Sequence, residues 1–153
     1  MTSVTILYED EPVERIKLDV TMSDEFPDAA DQLTYDDNTH HWIVKTGDGA
    51  KKYIPRSSIH KITGLVLESE YEGRLEPIEN QTLKYDFAGE EIVVIGNERR
   101  PLIEPLQYRA DIDHWYCRFE GVERIGSQKT IYSILVPRER VLWAEIDETD
   151  EVL

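Results

Sequence analysis

The later half of Val13-Glu14-Arg15-Ile16-Lys17-Leu18-Asp19-Val20 alternates apolar and polar residues with the period of a strand that buries one face. With Val4-Thr5-Ile6-Leu7-Tyr8 ahead of it and the acidic turn Glu9-Asp10-Glu11-Pro12 between, the pattern predicts a β-hairpin. A second hairpin is predicted from Thr82-Leu83-Lys84-Tyr85-Asp86-Phe87, a turn at Ala88-Gly89-Glu90, and Glu91-Ile92-Val93-Val94-Ile95. After the first hairpin, strands are expected from His40 or His41 to Lys45, from Lys51 to Ile54 around a turn at Gly47-Asp48-Gly49, and from Ile59 to Leu67. After the second, they are expected over His114–Phe119, Lys129–Val136 and Val141–Ile146, with Glu120–Ser127 as a hairpin loop. The segments before each His-Trp are the least regular: Ser23-Asp24-Glu25 suits the cap of one helical turn, and Pro101 and Pro105 argue against a long helix.

The parallel between the two series is a repeat. Leu-x-Tyr, five residues, His-Trp occurs as Leu33, Tyr35, His41, Trp42 and again, 73 positions on, as Leu106, Tyr108, His114, Trp115. An apolar residue followed by Pro-Arg and a β-branched residue recurs 82 positions apart, as Ile54-Pro55-Arg56-Ser57-Ser58-Ile59 and Val136-Pro137-Arg138-Glu139-Arg140-Val141. Proline suits a first helical position, so each Pro-Arg segment predicts one tight helical turn. The nine extra residues of the second copy are assigned to the loop 120–127. The expected division is a first unit at 1–67, an acidic linker at 68–80, a second unit at 81–147 and an acidic tail at 148–153.

Five short strands with a one-turn helix before the last resemble the small barrels of the Src-homology-three type and, more loosely, Sm-like barrels. Leu83-Lys84-Tyr85-Asp86-Phe87 is similar to the family's opening Ala-Leu-Tyr-Asp-Tyr segment, and Trp115 stands where its tryptophan strand begins. Ile134–Val141 and Tyr53–Ile59 resemble its final proline turn. The resemblance implies an all-β fold with minor helical turns, arranged as two tandem barrels. It also implies a groove for proline-rich peptides, made by the opening tyrosines, the first tryptophan, the turn proline and a tyrosine after it. At that last position stand Ser58 and Arg140, and either His41 or Trp42 fills the tryptophan position of the first copy.

Composition narrows the function. In 153 residues there are 32 acidic and 17 basic side chains, a net charge of −15, with acidic clusters at 8–14, 23–37, 68–79 and 147–151. Such a field repels nucleic acid at ordinary ionic strength. A surface this rich in carboxylates also fits a halophilic source, where a Debye length of about 3 Å at 1 M salt cancels the argument. The single Cys117 excludes an internal disulfide and points to a reducing, cytoplasmic setting, or a virion if the source is viral. The N-terminus lacks the marks of a secretory signal, and no apolar run reaches the ~18 residues of a membrane span. A soluble protein is expected.

Candidate chemistry is sparse. His40 and His41 point to opposite faces of a strand and do not share a metal with Asp36, Asp37 or His60. His114 and Cys117, three apart, also face opposite ways, and no oxyanion turn accompanies them. Gly47-Asp48-Gly49 lacks the lysine and helix of a phosphate loop. Trp42 and Trp115, with Tyr35 and Tyr108 against them, suit a core that the fold needs twice, with a ligand platform as the alternative. Lys51, Lys52, Arg56, Arg99, Arg100, Arg138 and Arg140, interleaved with Tyr53, Tyr132 and Trp143, read as solvated surface or as a single-strand binding patch.

The expectation is a non-enzymatic structural or adaptor protein without cofactor or metal, binding a protein partner or large assembly such as a virion head-tail connector, and itself able to oligomerise. Partner contacts are assigned to Trp42, Tyr53, Arg56, Tyr85, Trp115, Arg138, Arg140 and Trp143. The alternative is an Sm-like nucleic-acid-binding regulator from a halophile.

Overall fold

In the computed structural model the alternating segments become strands β1 (Thr2–Tyr8), β2 (Glu14–Val20), β3 (Leu33–Asp36), β4 (His41–Lys45), β5 (Lys51–Pro55) and β6 (Ile59–Leu67), followed by β7 (Gln81–Phe87), β8 (Glu91–Ile95), β9 (Gln107–Arg109), β10 (His114–Ile125), β11 (Gln128–Pro137) and β12 (Val141–Ile146). Single 3-10 turns occupy Arg56–Ser58, Glu68–Glu70 and Arg138–Arg140. The structure describes residues 2–8, 14–20, 33–45, 49–71, 73, 75–87 and 91–146. The expected turns at 9–12 and 88–90, the helical turn at 23–25, most of the glycine turn at 47–49 and the tail fall outside them. Among the described residues the fold is all-β, in three sheets ordered β2-β1-β6-β11-β10-β9, β12-β7-β8 and β3-β4-β5, none closed into a barrel.

The repeat holds at the level of strand register. In each half the first strand lies between the second and the last, and the third, fourth and fifth form a meander. Tyr35 pairs with Trp42 and His41 with Pro55; Tyr108 pairs with Trp115 and His114 with Pro137. Tyr8 faces Ile59 and, after a one-residue bulge, Leu7 faces Lys61; Tyr85 faces Val141 and, after the same bulge, Lys84 faces Trp143. His40 and Asp113 both adopt φ 58°, and their carbonyls accept the N–H of Arg56 (2.8 Å) and Arg138 (3.0 Å). The Pro-Arg corner is thus one device used twice. Proline fixes φ near −57° (−58° at Pro55, −56° at Pro137), and the following N–H is held by a left-handed residue.

Two readings of the sequence change. The nine-residue excess is not a loop: β10 and β11 run on past Phe119 as a long hairpin, shift register between Glu120 and Arg124, and turn at Gly126-Ser127, with Gly126 at φ 63°. The polar residues there are exposed strand that projects beyond the sheet, and so lack a buried face to pattern them. The irregular stretches before each His-Trp contain β3 and β9, and Leu102 bridges both Ile78 and Phe119.

The halves are also not separate. β6 pairs with β11 from Ile62↔Leu135 to Leu67↔Thr130, which fuses the first sheet of one half with the meander of the other. β10 and β11 are therefore covered on both faces. Leu135 and Tyr116 join a core with Ile6, Tyr8, Trp42, Ile54, Ile59 and Ile62, whereas Ile134, Val136, Cys117 and Phe119 join a core with Leu83, Tyr85, Ile95 and Leu102. Double burial explains why Ile134-Leu135-Val136 is continuously apolar. Each such side chain contributes about 1.5–3 kcal/mol by burial. The stretch 68–80 is tied to the second half as well: Lys129 N–H donates to Glu68 Oε1 (3.2 Å), Ser69 N–H to Gln128 Oε1 (3.1 Å), and Tyr71 Oη to Glu104 Oε2 (2.9 Å).

Candidate functional site

The joint between the halves centres on His114. Its Nδ1–H donates to the Ile112 carbonyl (2.7 Å) and its Nε2 accepts from Trp42 Nε1–H (3.2 Å), an arrangement that requires the neutral ring. Burial lowers its pKa from 6.5 to about 4, more than the Ile112 carbonyl restores. Tyr35 packs edge-on against both Trp42 (5.1 Å between ring centroids) and His114 (5.9 Å). Above them, Arg56 Nη1 donates to Asp113 Oδ2 (3.0 Å) and Tyr35 Oη (3.3 Å), and Arg56 Nε donates to Glu139 Oε2 (3.4 Å). Tyr108 Oη donates to the other oxygen of Asp113 (2.9 Å); this bond, with the nearby Arg138 and Arg56 charges, holds the carboxyl below its usual value.

The residues proposed from sequence as partner contacts scatter between core, joint and surface. Trp42, 2% exposed, and Tyr85 lie inside the two cores and present no surface to a partner. Trp115 is half-buried against the second core with Tyr108 edge-on at 5.3 Å. Arg56 is spent on the joint, with Arg138 exposed beside it, close enough to act on Tyr108 and Asp113. Arg140 is half-buried, 3.9 Å from Asp86. Tyr53 is exposed on β5, edge-on to His41, and Trp143 is exposed on β12 beneath Lys84 Nζ (5.8 Å).

No nucleophile is set up at Cys117. Its thiol is fully buried, pushed well above its usual range by that burial, and lies in the second core while His114 faces the first. Among the described residues no three His, Cys, Asp or Glu side chains gather to hold a metal, and no helix is long and apolar enough to cross a membrane. A polar cluster missed by sequence reasoning is structural. Buried Arg118 donates from Nε to Ser133 Oγ (2.8 Å) and from Nη1 to Glu104 Oε2 (2.9 Å), while burial and Glu104 push the Tyr71 phenol up to about 12. An open cleft of about 250 Å³ beside the shared sheet carries Lys61, Arg100, Thr63 and Glu123 at its wall.

The surface that stands out is the edge strand β12. Leu142, Trp143 and Ile146 are 51%, 40% and 44% exposed, and β12 is the outermost strand of its sheet, with Ile92 exposed on β8 at the opposite side. In the first half β5 is likewise an edge, with Lys51, Lys52 and Tyr53 exposed and Lys52 Nζ donating to Tyr8 Oη (2.5 Å). The sequence did carry a signal for β12: Val141-Leu142-Trp143-Ala144 is apolar without alternation, although its sheet has only one core to cover. Comparison with known protein families, with curated proteins and with solved structures finds no match.

Proposed function

We propose that this chain is a non-catalytic assembly or adaptor protein, built from two units of the Src-homology-three type, that binds a macromolecular partner through its exposed strand edges. The unit assignment is supported by strand order: in each half the first strand lies between the second and last, a three-stranded meander follows, and a one-turn 3-10 corner precedes the last strand. The observation that carries the function is β12, an apolar strand at a sheet edge. Such an edge offers a row of backbone hydrogen-bonding groups beside a hydrophobic strip, a surface that proteins leave open where another chain is to be added. By fold analogy alone, a connector in a virion or a comparable multi-subunit assembly is a concrete setting for it. The net charge of −15 works against a nucleic-acid partner.

The test is recovery of the native complex from the protein's own source, followed by cross-linking of the partner and repetition with Trp143→Asp. Loss of the partner with unchanged circular dichroism supports the reading. Affinity for oligonucleotides that falls steeply with salt and is indifferent to Trp143 overturns it.

A further inference from the structure

The repeat supplies its own control for what covers β12. The strand equivalent to it is β6, and the two share register and bulge against β1 and β7, 82 positions apart. Yet Ile59, His60, Ile62 and Gly64 are buried, whereas none of their counterparts Val141, Leu142, Ala144 and Ile146 is. The sharpest contrast is His60, 1% exposed, against Leu142, 51% exposed. Along the outer edge of β6, from Ile62 to Leu67, lies β11, whereas among the described residues no strand lies along the outer edge of β12.

The equivalent of β11 in the first half is β5, whose outer edge is likewise unpaired among the described residues. We infer that β12 of one chain pairs with β5 of a second copy of the same chain, repeating between molecules the β6·β11 joint found within one. This rests on the assembly reading above and names the partner. Transposing the internal register places Tyr53 opposite Ala144, Lys52 opposite Glu145 and Lys51 opposite Ile146, by analogy with Leu135↔Ile62, Ile134↔Thr63 and Ser133↔Gly64.

The chemistry fits. Lys52 meets Glu145. In the internal joint Leu135, paired with Tyr116, closes over the first core; at the same places in the first half stand Tyr53 and its partner Ile43, the same aromatic and aliphatic pair exchanged between strands. His41 is oriented as His114 is, its Nδ1–H donating to the Thr39 carbonyl (2.9 Å), so that Nε2 is the acceptor for the Trp115 indole as His114 Nε2 is for Trp42. One feature does not carry over. Arg56 pairs with Asp113 and Glu139, whereas Arg138 would meet His40 and Ser57. The joint between molecules is therefore weaker than the one within, and concentration governs it. Because β12 and β5 are different surfaces, the contact is head-to-tail and builds a ring or a filament.

Sedimentation of the full-length chain over a wide concentration range tests this. Mass is expected to rise with concentration in the wild type, and Glu145→Lys or Lys52→Glu is expected to weaken association by about tenfold or more, with recovery when both are combined. Since Lys52 also touches Tyr8, Tyr53→Asp serves as the independent block of β5 and Leu142→Asp as that of β12. Each of these two variants alone should stay monomeric, and their mixture should stop at a dimer. A wild type that remains monomeric overturns the head-to-tail inference while leaving binding of a foreign partner at Trp143 to its own test. Association that survives Tyr53→Asp but not Leu142→Asp shows β12 pairing with itself, and overturns it equally.

Discussion

Trp42 Nε1 and His114 Nε2 meet at 3.2 Å across the boundary between two copies of one motif, each residue having a counterpart that makes no such bond with the other's counterpart. The contact needs a neutral imidazole. His114 has a folded pKa near 4 against 6.5 when unfolded, so below pH 6.5 the unfolded chain binds the additional proton. Its contribution is complete above pH 6.5 and is lost as pH falls toward 4, by roughly 3 kcal/mol in all. Urea denaturation at stepped pH should show that decline, and His114→Gln should flatten it. An identical pH profile in His114→Gln refutes the assignment.

The two tryptophans should differ in cost. Trp42 is enclosed and hydrogen-bonded, so Trp42→Ala is expected to destabilise by about 3–5 kcal/mol. Trp115 is half-buried, and Trp115→Ala should cost roughly half as much in the isolated chain, in proportion to the area it removes from water. Equal losses in thermal or chemical denaturation would contradict the asymmetric burial.

Arg56 ties the halves together through partly exposed partners. Arg56→Ala is expected to cost about 1 kcal/mol, and a double-mutant cycle with Asp113→Ala should return a coupling of about 0.5–1 kcal/mol that shrinks with added salt. A coupling indistinguishable from zero at low salt would remove the ion pair from the joint's energetics.

Gly96 sits at φ 101°, and a Cβ there would lie 2.2 Å from the carbonyl oxygen of Gln81. Both the conformation and the backbone neighbour resist relief, so Gly96→Ala should lower stability by more than about 1 kcal/mol. A neutral effect on the melting midpoint would show that the turn after β8 moves freely.

Cys117 should not react with an aromatic disulfide reagent in the native state and should react at once after unfolding, since burial both shields the thiol and suppresses the thiolate. Stoichiometric labelling of the folded protein would place it elsewhere.

Much of the local structure was legible in the chain. The Pro-Arg corners and the limits of β6 and β12 follow from proline's fixed φ and from where apolar residues resume. β3 and β9 were not legible, because Leu33-Thr34-Tyr35-Asp36 and Gln107-Tyr108-Arg109 are too short to show a period and are recognisable only by the strand they pair with. Only the far end of the β10–β11 hairpin, residues 120–127, reads as a loop, because it has no buried face. Least legible of all was what covers what. Trp42 and Trp115 occupy the same motif, and His60 and Leu142 the same bulge, yet the first of each pair is buried and the second is not. Local sequence encodes the strand and its corner; the covering strand lies far away in the chain.

The β6·β11 ladder also changes what a cut in the chain means. A protease nick between Gly73 and Pro77 would leave two fragments gripped by main-chain hydrogen bonds, the Trp42–His114 contact and the Arg56 bridge. Each fragment is the template on which the other completes its hydrophobic interior, so the halves of this polypeptide are suited to complementation in trans.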